Sequence, residues 1–169
     1  MMVLEYQRQI QLLDYWCWAA VTSAIALKYN PASGYTQGVL AGELLDSSCA
    51  AIAPGNTSNV PAVCNQQYSL GDALRYTQNF AWEVESNLTL AEIITQIDSG
   101  WPVCCQIYWA DRNDQGHFIT IYGYDGTTIT IADSDPNAVT DTIDYYDLIT
   151  AYRGGQWIRS FGTQPAPLI

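Results

Sequence analysis

The sequence predicts an α+β fold, with helices in about the first 100 residues and an antiparallel β-sheet over about residues 101–163. Before Pro102, apolar residues fall in segments of helical length that are bounded by capping residues. After Pro102, the segments become β-branched and aromatic, with polar residues interleaved, which is typical of strands. This order of elements, in a chain of 169 residues, indicates a single domain over residues 1–169.

The segment from Asp14 to Tyr29 is predicted to be the central helix. We expect Asp14 to be its N-cap, and Asn30-Pro31 to end it because proline disfavours helix in the residue before it. Since the segment is apolar nearly all round, it should be buried and packed on the sheet. Further helices are predicted at Gln37–Asp46 after Thr36, at Ser69–Gln78, and in the segment that begins at Thr89, where Thr89 and Glu92 form a capping-box pattern and Gly100 lies just past the end.

Four segments after Pro102 have the composition of strands: Val103–Trp109, His117–Tyr124, Thr128–Asp133 and Gln156–Thr163. Asp125-Gly126, between the second and the third, is a hairpin signal. The segment from Thr142 to Tyr152 is predicted to be a strand that runs into a short helix.

The charge balance excludes several classes of partner. The chain has 17 acidic and 6 basic residues, a net charge of −11, so it lacks the basic surface that nucleic acids and anionic membranes require. The acidity indicates either solubility alone or a preference for a basic partner or substrate. No apolar window of transmembrane length and no secretory signal pattern are found. We therefore expect a soluble protein, with leader-independent secretion, delivery as an effector or excision from a longer protein left open.

Cys17 has four interpretations: a core thiol, half of a disulfide, a metal ligand or a nucleophile. With five cysteines, one histidine and no CxxC or HxxxH pattern, no metal site is expected. A core thiol is the default for the residue alone. The neighbours favour a nucleophile, because a first-turn position lowers a thiol pKa, Gln11 can donate to an oxyanion, and His117 is available as a base.

Two aspartates are candidates to orient the imidazole of His117. If the turn of the predicted hairpin is Tyr124–Gly126, His117 lies directly opposite Asp133 on the same face. A turn centred one residue later places it opposite Asp135 instead. The turn type therefore decides between them, and an ordinary hairpin with a solvated, aspartate-rich end is the alternative to both.

Taken together, the motifs Q-x5-CWAA, GHFITIYGYDG and IADSDP resemble those of bacterial papain-like cysteine peptidases. The chain is similar to the C39-like peptidases, which include the double-glycine leader peptidases, and to the C70 effector proteases. The resemblance implies a papain-like fold, Cys17 as nucleophile, His117 as general base and acid, and Gln11 with the Cys17 N–H as oxyanion hole. It maps the third member of the triad onto Asp133, with Asp135 as the alternative.

The resemblance also implies the partners. The substrate would be a protein or peptide, cleaved after small P2 and P1 residues such as Gly-Gly, and no cofactor or metal would be needed. Because the chain lacks the membrane segment and the nucleotide-binding motif of the exporters, it would be a stand-alone peptidase, or an effector or toxin with a cognate immunity protein as inhibitor.

Two other functions share these residues. Transglutaminases and arylamine acetyltransferases use Cys, His and Asp in the same order but transfer the acyl group to an amine. The third possibility is a papain-like scaffold that only binds. The Gln–Cys spacing favours the peptidase, and the intact set of four residues argues against binding alone.

The other cysteines raise the question of a disulfide. Cys49 and Cys64 flank a loop with little apolar material, which a disulfide would hold in place. The alternative is that all five thiols stay reduced, as in most cytosolic proteins. Cys104 and Cys105 are adjacent in a predicted strand, so their side chains should point to opposite faces and not bond each other.

Overall fold

The computed structural model describes residues 1–110 and 116–168. Within these residues the α-helices are α1 (Cys17–Tyr29), α2 (Gln37–Leu44), α3 (Leu70–Tyr76), α4 (Leu90–Asp98) and α5 (Tyr145–Thr150). The strands are β1 (Met2–Val3), β2 (Phe80–Val84), β3 (Val103–Tyr108), β4 (Gly116–Asp125), β5 (Thr128–Asp133), β6 (Thr142–Asp144) and β7 (Gln156–Thr163). Helices and strands of both predicted halves are present, which confirms the α+β class.

The strands form one antiparallel sheet in the order β2-β7-β3-β4-β5-β6, with β1 added beside the far end of β4. Contacts tie α1 to β4 on one side, whereas α4 contacts β3 and β4, and α5 contacts β6 and β7. The long strand β4 therefore lies in the middle of the sheet, directly under the central helix.

Helix α1 is the buried centre of the helical side, as predicted. Each of its residues from Cys17 to Ala26 is buried, and an all-apolar helix finds no stable place at a surface. The predicted N-cap is wrong, because the helix begins at Cys17, and Trp16, without a side-chain cap, precedes it. Asp14 lies outside the helix and is exposed. Cys17 is consequently the first helical residue, whose N–H has no acceptor within the helix.

Side-chain caps begin the other four helices. Thr36, Ser69, Thr89 and Asp144 accept from backbone N–H groups two or three residues ahead, in α2, α3, α4 and α5 respectively. The capping box predicted for α4 is present, with the Glu92 carboxylate accepting from the Thr89 N–H at 2.7 Å. Helices α2 and α3 end two residues earlier than their sequence patterns indicated.

Two strands fall within the part of the chain that the sequence predicted to be helical. β1 pairs with β4, and β2 forms an outer strand of the sheet through its pairing with β7. The sequence of β2, Phe-Ala-Trp-Glu-Val, is too short to predict a strand by itself, and its pairing partner lies about 80 residues later. The boundary between a helical and a β part at about residue 100 is therefore only approximate.

The sheet separates two hydrophobic cores. On the α1 side, Cys104, Phe118 and Phe161 pack with residues of α1, α2 and α3. On the other side, Cys105 and Ile119 pack with residues of α4 and α5. Cys104 and Cys105 are both fully buried and unbonded, and they lie on opposite faces as predicted from their adjacency in a strand.

Cys49 and Cys64 form a disulfide. Each half lies in a short 3₁₀ turn, Ser47–Ala51 and Ala62–Cys64, and both cysteines are fully buried. Of the two alternatives for the thiols, the structure therefore has the bonded one, and the remaining cysteines, Cys17, Cys104 and Cys105, are free.

We expect thiol titration of the denatured, unreduced protein to find three free thiols. The bond closes a loop with a sequence separation of 15 residues, which stabilises the fold by about 3 kcal/mol in the chain-entropy model. The double variant Cys49→Ala/Cys64→Ala should therefore unfold at a lower urea concentration. Cys104 and Cys105, which are free in the wild type, serve as internal references in the thiol count. A count of five thiols in the wild type would show that the bond does not form.

Candidate active site

Cys17 lies at the amino end of α1, with 6% of its surface exposed. The indole N–H groups of its neighbours Trp16 and Trp18 donate to the backbone carbonyls of Cys64 and Gln66, at 2.6 and 3.0 Å. The segment that follows the disulfide therefore holds the chain on both sides of Cys17. Cys17 lines two cavities at the junction of the helix and the sheet.

His117 reaches the same junction from the second residue of β4. Its Nε2 lies 2.5 Å from Oδ1 of Asp133. The ring of Trp109 packs beside the imidazole, with the two ring centroids 5.7 Å apart. The imidazole also makes a hydrogen bond with the Cys17 side chain. Since Nε2 faces Asp133, the nitrogen that faces Cys17 is Nδ1.

The predicted hairpin register is wrong, although His117 and Asp133 are in contact. β4 and β5 are joined by the two-residue turn Gly126-Thr127, with Gly126 at φ 59°, and a bulge between Ile121 and Gly123 then shifts the register by one residue. Asp133 is paired with Ile119. His117 therefore reaches Asp133 diagonally, two residues along the same face of the sheet.

Asp135 is held by other groups. Its Oδ2 accepts from the Arg153 guanidinium at 2.8 Å, and its Oδ1 accepts from the Asn137 N–H at 2.8 Å. Of the two aspartates that the sequence left open, only Asp133 hydrogen-bonds to the imidazole in the described structure. Asp133 is also the more buried, with a fully enclosed side chain.

Gln11 lies beside Cys17 and His117 in a small cavity of about 130 Å³. Its amide Nε2 donates to the carbonyls of Leu13 and Asp14, at 3.1 and 2.8 Å, and its Oε1 accepts from Ser134 Oγ at 3.0 Å. The side chain is thus well fixed, but both amide hydrogens are directed to backbone carbonyls. Donation to an oxyanion would require Gln11 to release or share one of them.

The electrostatics of the pair favour an imidazolium beside a carboxylate. Burial lowers the pKa of His117, but the hydrogen bonds to Asp133 and Cys17 outweigh it and raise the pKa to about 10. Burial raises the pKa of Asp133, but its hydrogen bond with His117, the charge of that ring and the Tyr152 hydroxyl lower it to about 2. At neutral pH, His117 is therefore protonated and Asp133 is ionised.

A larger groove of about 470 Å³ opens on the other side of Cys17. Its walls include Tyr68, Phe118 and Phe161, and Glu83 and Arg159 also line it. Gly116 forms part of the wall next to His117, where a Cβ atom would lie 2.7 Å from the side-chain nitrogen of Gln106. Cys17 thus lies between two cavities that an extended chain could cross.

The model of one protein family, the Peptidase_C39 like family, matches residues 3–164. The match covers nearly all of the sequence. The chain belongs to the Peptidase_C39 like family. Membership confirms the resemblance to C39-like cysteine peptidases, and it indicates that the protein is a cysteine peptidase acting on protein or peptide substrates.

A solved structure agrees with this assignment at the level of the fold. The crystal structure of a protein described as a putative C39-like peptidase from Bacillus anthracis matches this chain with a TM-score of 0.59 and 16% sequence identity. The match covers 95% of this chain and 97% of that one. It confirms the predicted papain-like fold. No curated protein sequence matches the chain.

Three residues of this C39-like site were not identified from the sequence: Tyr152, Arg153 and Trp109. Tyr152 and Arg153 follow α5 and contact the carboxylate of Asp133, and the Trp109 indole donates to the Arg153 carbonyl at 2.9 Å. Tyr152 and Arg153 lie in the motif YRGGQW, which resembles the family pattern but does not show what its side chains contact, and Trp109 ends the predicted strand Val103–Trp109 without a signal of this role.

Residues 1–110 and 116–168 contain neither a cluster of candidate metal ligands nor a helix that could span a membrane. In that part of the C39-like chain, no three side chains of His, Cys, Asp or Glu come together in a way that could hold a metal ion. None of its helices combines the length and apolar character that a membrane span requires.

We expect Cys17 to be the thiol that limiting iodoacetamide alkylates first in the native protein. It is the free cysteine that lies at a helix N-terminus, contacts the His117 imidazole and lines two cavities, a setting typical of reactive cysteines. Cys104 and Cys105 are fully buried, and burial raises the pKa of Cys104 to about 12. Peptide mass spectrometry measures the order of labelling. Preferential labelling of Cys104 or Cys105 would contradict a nucleophilic Cys17.

The stability of the fold should depend on pH through the His117–Asp133 pair. Because the folded pKa of His117 is raised, its contribution is complete below the unfolded value near 6.5 and is lost as the pH rises through about 10. The contribution of Asp133 is complete above its ordinary value and is lost as the pH falls through about 2. Urea unfolding of the wild type and of His117→Ala should therefore differ most between about pH 4 and 6.5, and a difference that grows towards pH 10 would contradict this assignment.

Proposed function

We propose that the protein hydrolyses peptide bonds as an endopeptidase, with Cys17, His117 and Asp133 as its catalytic triad. The observation that supports this most is the continuous set of contacts from the Cys17 thiol through the imidazole of His117 to the Asp133 carboxylate. The same three residue types perform acyl transfer in other folds, as nucleophile, general base and orienting carboxylate.

In the proposed reaction, Nδ1 of His117 takes the proton of the Cys17 thiol, or already holds it in an ion pair, and the thiolate attacks the carbonyl carbon of the scissile bond. The carbonyl oxygen becomes an oxyanion, which the Cys17 N–H stabilises at the start of α1. His117 then gives its proton to the leaving amine, and the peptide C–N bond breaks. Water, deprotonated by His117, releases the acyl group from the sulfur.

Gln11 is proposed as the second donor of the oxyanion hole. In the resting structure its amide hydrogens bond to Leu13 and Asp14, so the developing oxyanion would compete with these carbonyls. Because an oxyanion is a stronger acceptor than a neutral carbonyl, the exchange is favourable in the transition state. Loss of such a donor typically costs about 3 kcal/mol of barrier.

The substrate proposed from the family resemblance has small P2 and P1 residues, such as Gly-Gly. The groove of about 470 Å³ beside Cys17 is wide enough for larger side chains as well. A peptide library with all residues varied at P2 and P1 tests both preferences in one assay. We also propose a role as an effector or toxin controlled by an immunity protein, which growth of a bacterial host expressing the wild type or Cys17→Ala would test.

The decisive experiment compares protein N-termini in cells that express the wild type or Cys17→Ala at equal levels. Peptide hydrolysis predicts new N-termini in the wild-type sample alone. An assay with a labelled primary amine accompanies it, because an acyltransferase would incorporate the amine. If the two samples have the same N-termini, the peptidase is contradicted, whether or not the amine is incorporated. If the wild type and Cys17→Ala also agree in the amine assay, a protein that only binds is favoured.

A further inference from the structure

The carboxylate of Asp133 is shared between two sets of donors. Oδ1 accepts from His117 Nε2 at 2.5 Å and from the Asp135 N–H at 2.9 Å. Oδ2 accepts from the Tyr152 hydroxyl and, at 3.4 Å, from the Arg153 guanidinium. The proposed reaction uses only the first oxygen, so the donors on the second oxygen have no role in the chemistry described so far.

Tyr152 is held more firmly than an ordinary surface tyrosine. Only 2% of its surface is exposed, and its ring packs in the core on the α4 and α5 side of the sheet. Its backbone is closed into a turn by an N–H donated from Gly155 to its carbonyl at 2.7 Å. The hydroxyl therefore approaches Asp133 from a fixed direction.

Arg153, in contrast, is a less specific partner of Asp133. Its guanidinium lies closer to Asp135, at 2.8 Å, than to Asp133, at 3.4 Å, and about a third of its side chain is exposed. An exposed ion pair fixes geometry weakly. The buried hydroxyl is therefore the donor that can determine the orientation of the carboxylate.

We propose that Tyr152 is a positioning residue, which fixes Oδ2 of Asp133 so that Oδ1 stays directed at Nε2 of His117. The proposal rests on the proposed function, since it assigns Tyr152 to the triad suggested above. Without the hydroxyl, the carboxylate gains freedom to rotate and the bond to the imidazole becomes longer on average. Burial and the charge of Asp133 raise the pKa of Tyr152, which keeps the hydroxyl protonated as a donor.

The test uses Tyr152→Phe, which removes one oxygen, and Tyr145→Phe as a matched control. Tyr145 is also buried, and its hydroxyl donates to the Leu88 carbonyl at 2.9 Å, away from the proposed triad. Because the chain has one histidine, proton and nitrogen NMR of the imidazole reports on His117 without further assignment. The charged and titratable groups facing this ring or its carboxylate partner are Cys17, Asp133, Tyr152, Arg153 and, beyond them, Asp135.

We expect the low-field Nε2–H resonance of His117 to move upfield in Tyr152→Phe and to keep its position in Tyr145→Phe. The pH at which the imidazole titrates should fall in Tyr152→Phe alone, because a longer bond to Asp133 stabilises the imidazolium less. kcat should decrease by about 10- to 100-fold with a smaller change in KM, the range expected for one hydrogen bond to a charged group. In an Asp133→Asn background, the further effect of Tyr152→Phe should largely disappear.

Unchanged His117 resonances and an unchanged imidazole titration in Tyr152→Phe would overturn the proposal, even if the variant unfolds more easily. So would an equal effect of Tyr152→Phe in the presence and absence of the Asp133 carboxylate. The NMR measurement needs no substrate, so it decides the role of Tyr152 even if the wild type proves not to be a peptidase. If Tyr152→Phe does not fold, the absence of a low-field Nε2–H resonance in the wild type would still overturn the proposal, because that resonance requires the carboxylate to be held against Nε2.

Discussion

Replacement of His117 by alanine is expected to lower kcat/KM for peptide hydrolysis by at least about 10³-fold. The imidazole is in contact with both Cys17 and Asp133, so its loss removes the proton acceptor of the thiol and the proton donor of the leaving amine together. The sequence contains no second histidine that could replace it. The measurement is the initial rate of cleavage of a peptide identified from the new N-termini.

Two controls separate lost chemistry from lost structure in this variant. His117→Ala should retain the disulfide and three free thiols if it folds, and added imidazole should restore part of the activity by occupying the space that the side chain leaves. Activity within about tenfold of the wild type would contradict the assignment of His117 as general base. A variant that folds but is not rescued by imidazole would show that the orientation of the ring, in addition to its basicity, is required.

Asp133→Ala is expected to lower kcat/KM by about 10²- to 10⁴-fold, the range associated with loss of the residue that orients a catalytic imidazole. Asp135→Ala should cost less than about tenfold, because its carboxylate pairs with a part-exposed Arg153 and such pairs contribute little. The two residues are matched in type and two positions apart. Comparison of their rates therefore isolates the effect of the contact with His117.

Asp133→Asn gives a graded third measurement. An asparagine Oδ1 can still accept from His117, but it lacks the charge that stabilises the imidazolium, so its activity should lie between those of the wild type and Asp133→Ala. If Asp135→Ala were the more damaging change, the triad would be completed by Asp135. The contact between His117 and Asp133 would then be structural.

The sequence was sufficient to predict α1 because a buried helix of this kind depends on local information. An apolar segment that ends at Asn30-Pro31 defines a buried helix wherever it occurs. The N-cap was misplaced by two residues, at Asp14 and not at Trp16, since Asp14 fits the capping preference but the chain has a turn at Asp14-Tyr15 before the helix. The helix instead begins beside the segment that binds the two tryptophans.

The register between β4 and β5 could not be derived from the sequence alone. Asp125-Gly126 is compatible with turns of different length, and the bulge near Tyr122 then moves every later pair by one residue. These two features together leave Asp133 within reach of His117 although the predicted register is wrong. The correct contact therefore did not depend on the predicted geometry.

The contacts of Oδ2 of Asp133 could not be predicted from the sequence for a different reason. Tyr152 and Arg153 lie about 20 residues beyond Asp133, after a strand and a helix. No spacing rule shows which of the two aspartates the arginine prefers or that the tyrosine is buried. Such contacts depend on where β7 pairs in the sheet and how α5 packs against it.

The disulfide between Cys49 and Cys64 and the thiol of Cys17 form one structural unit, because residues 64–66 hydrogen-bond to the residues around Cys17. A reductant therefore acts on this unit in two opposing ways. At low concentration it should keep the Cys17 thiol reduced, whereas at high concentration it should open the Cys49–Cys64 bond, which precedes residues 67–70 in the wall of the groove. Activity should thus pass through a maximum as dithiothreitol is increased, whereas Cys49→Ala/Cys64→Ala should have a lower maximal activity and no descending limb.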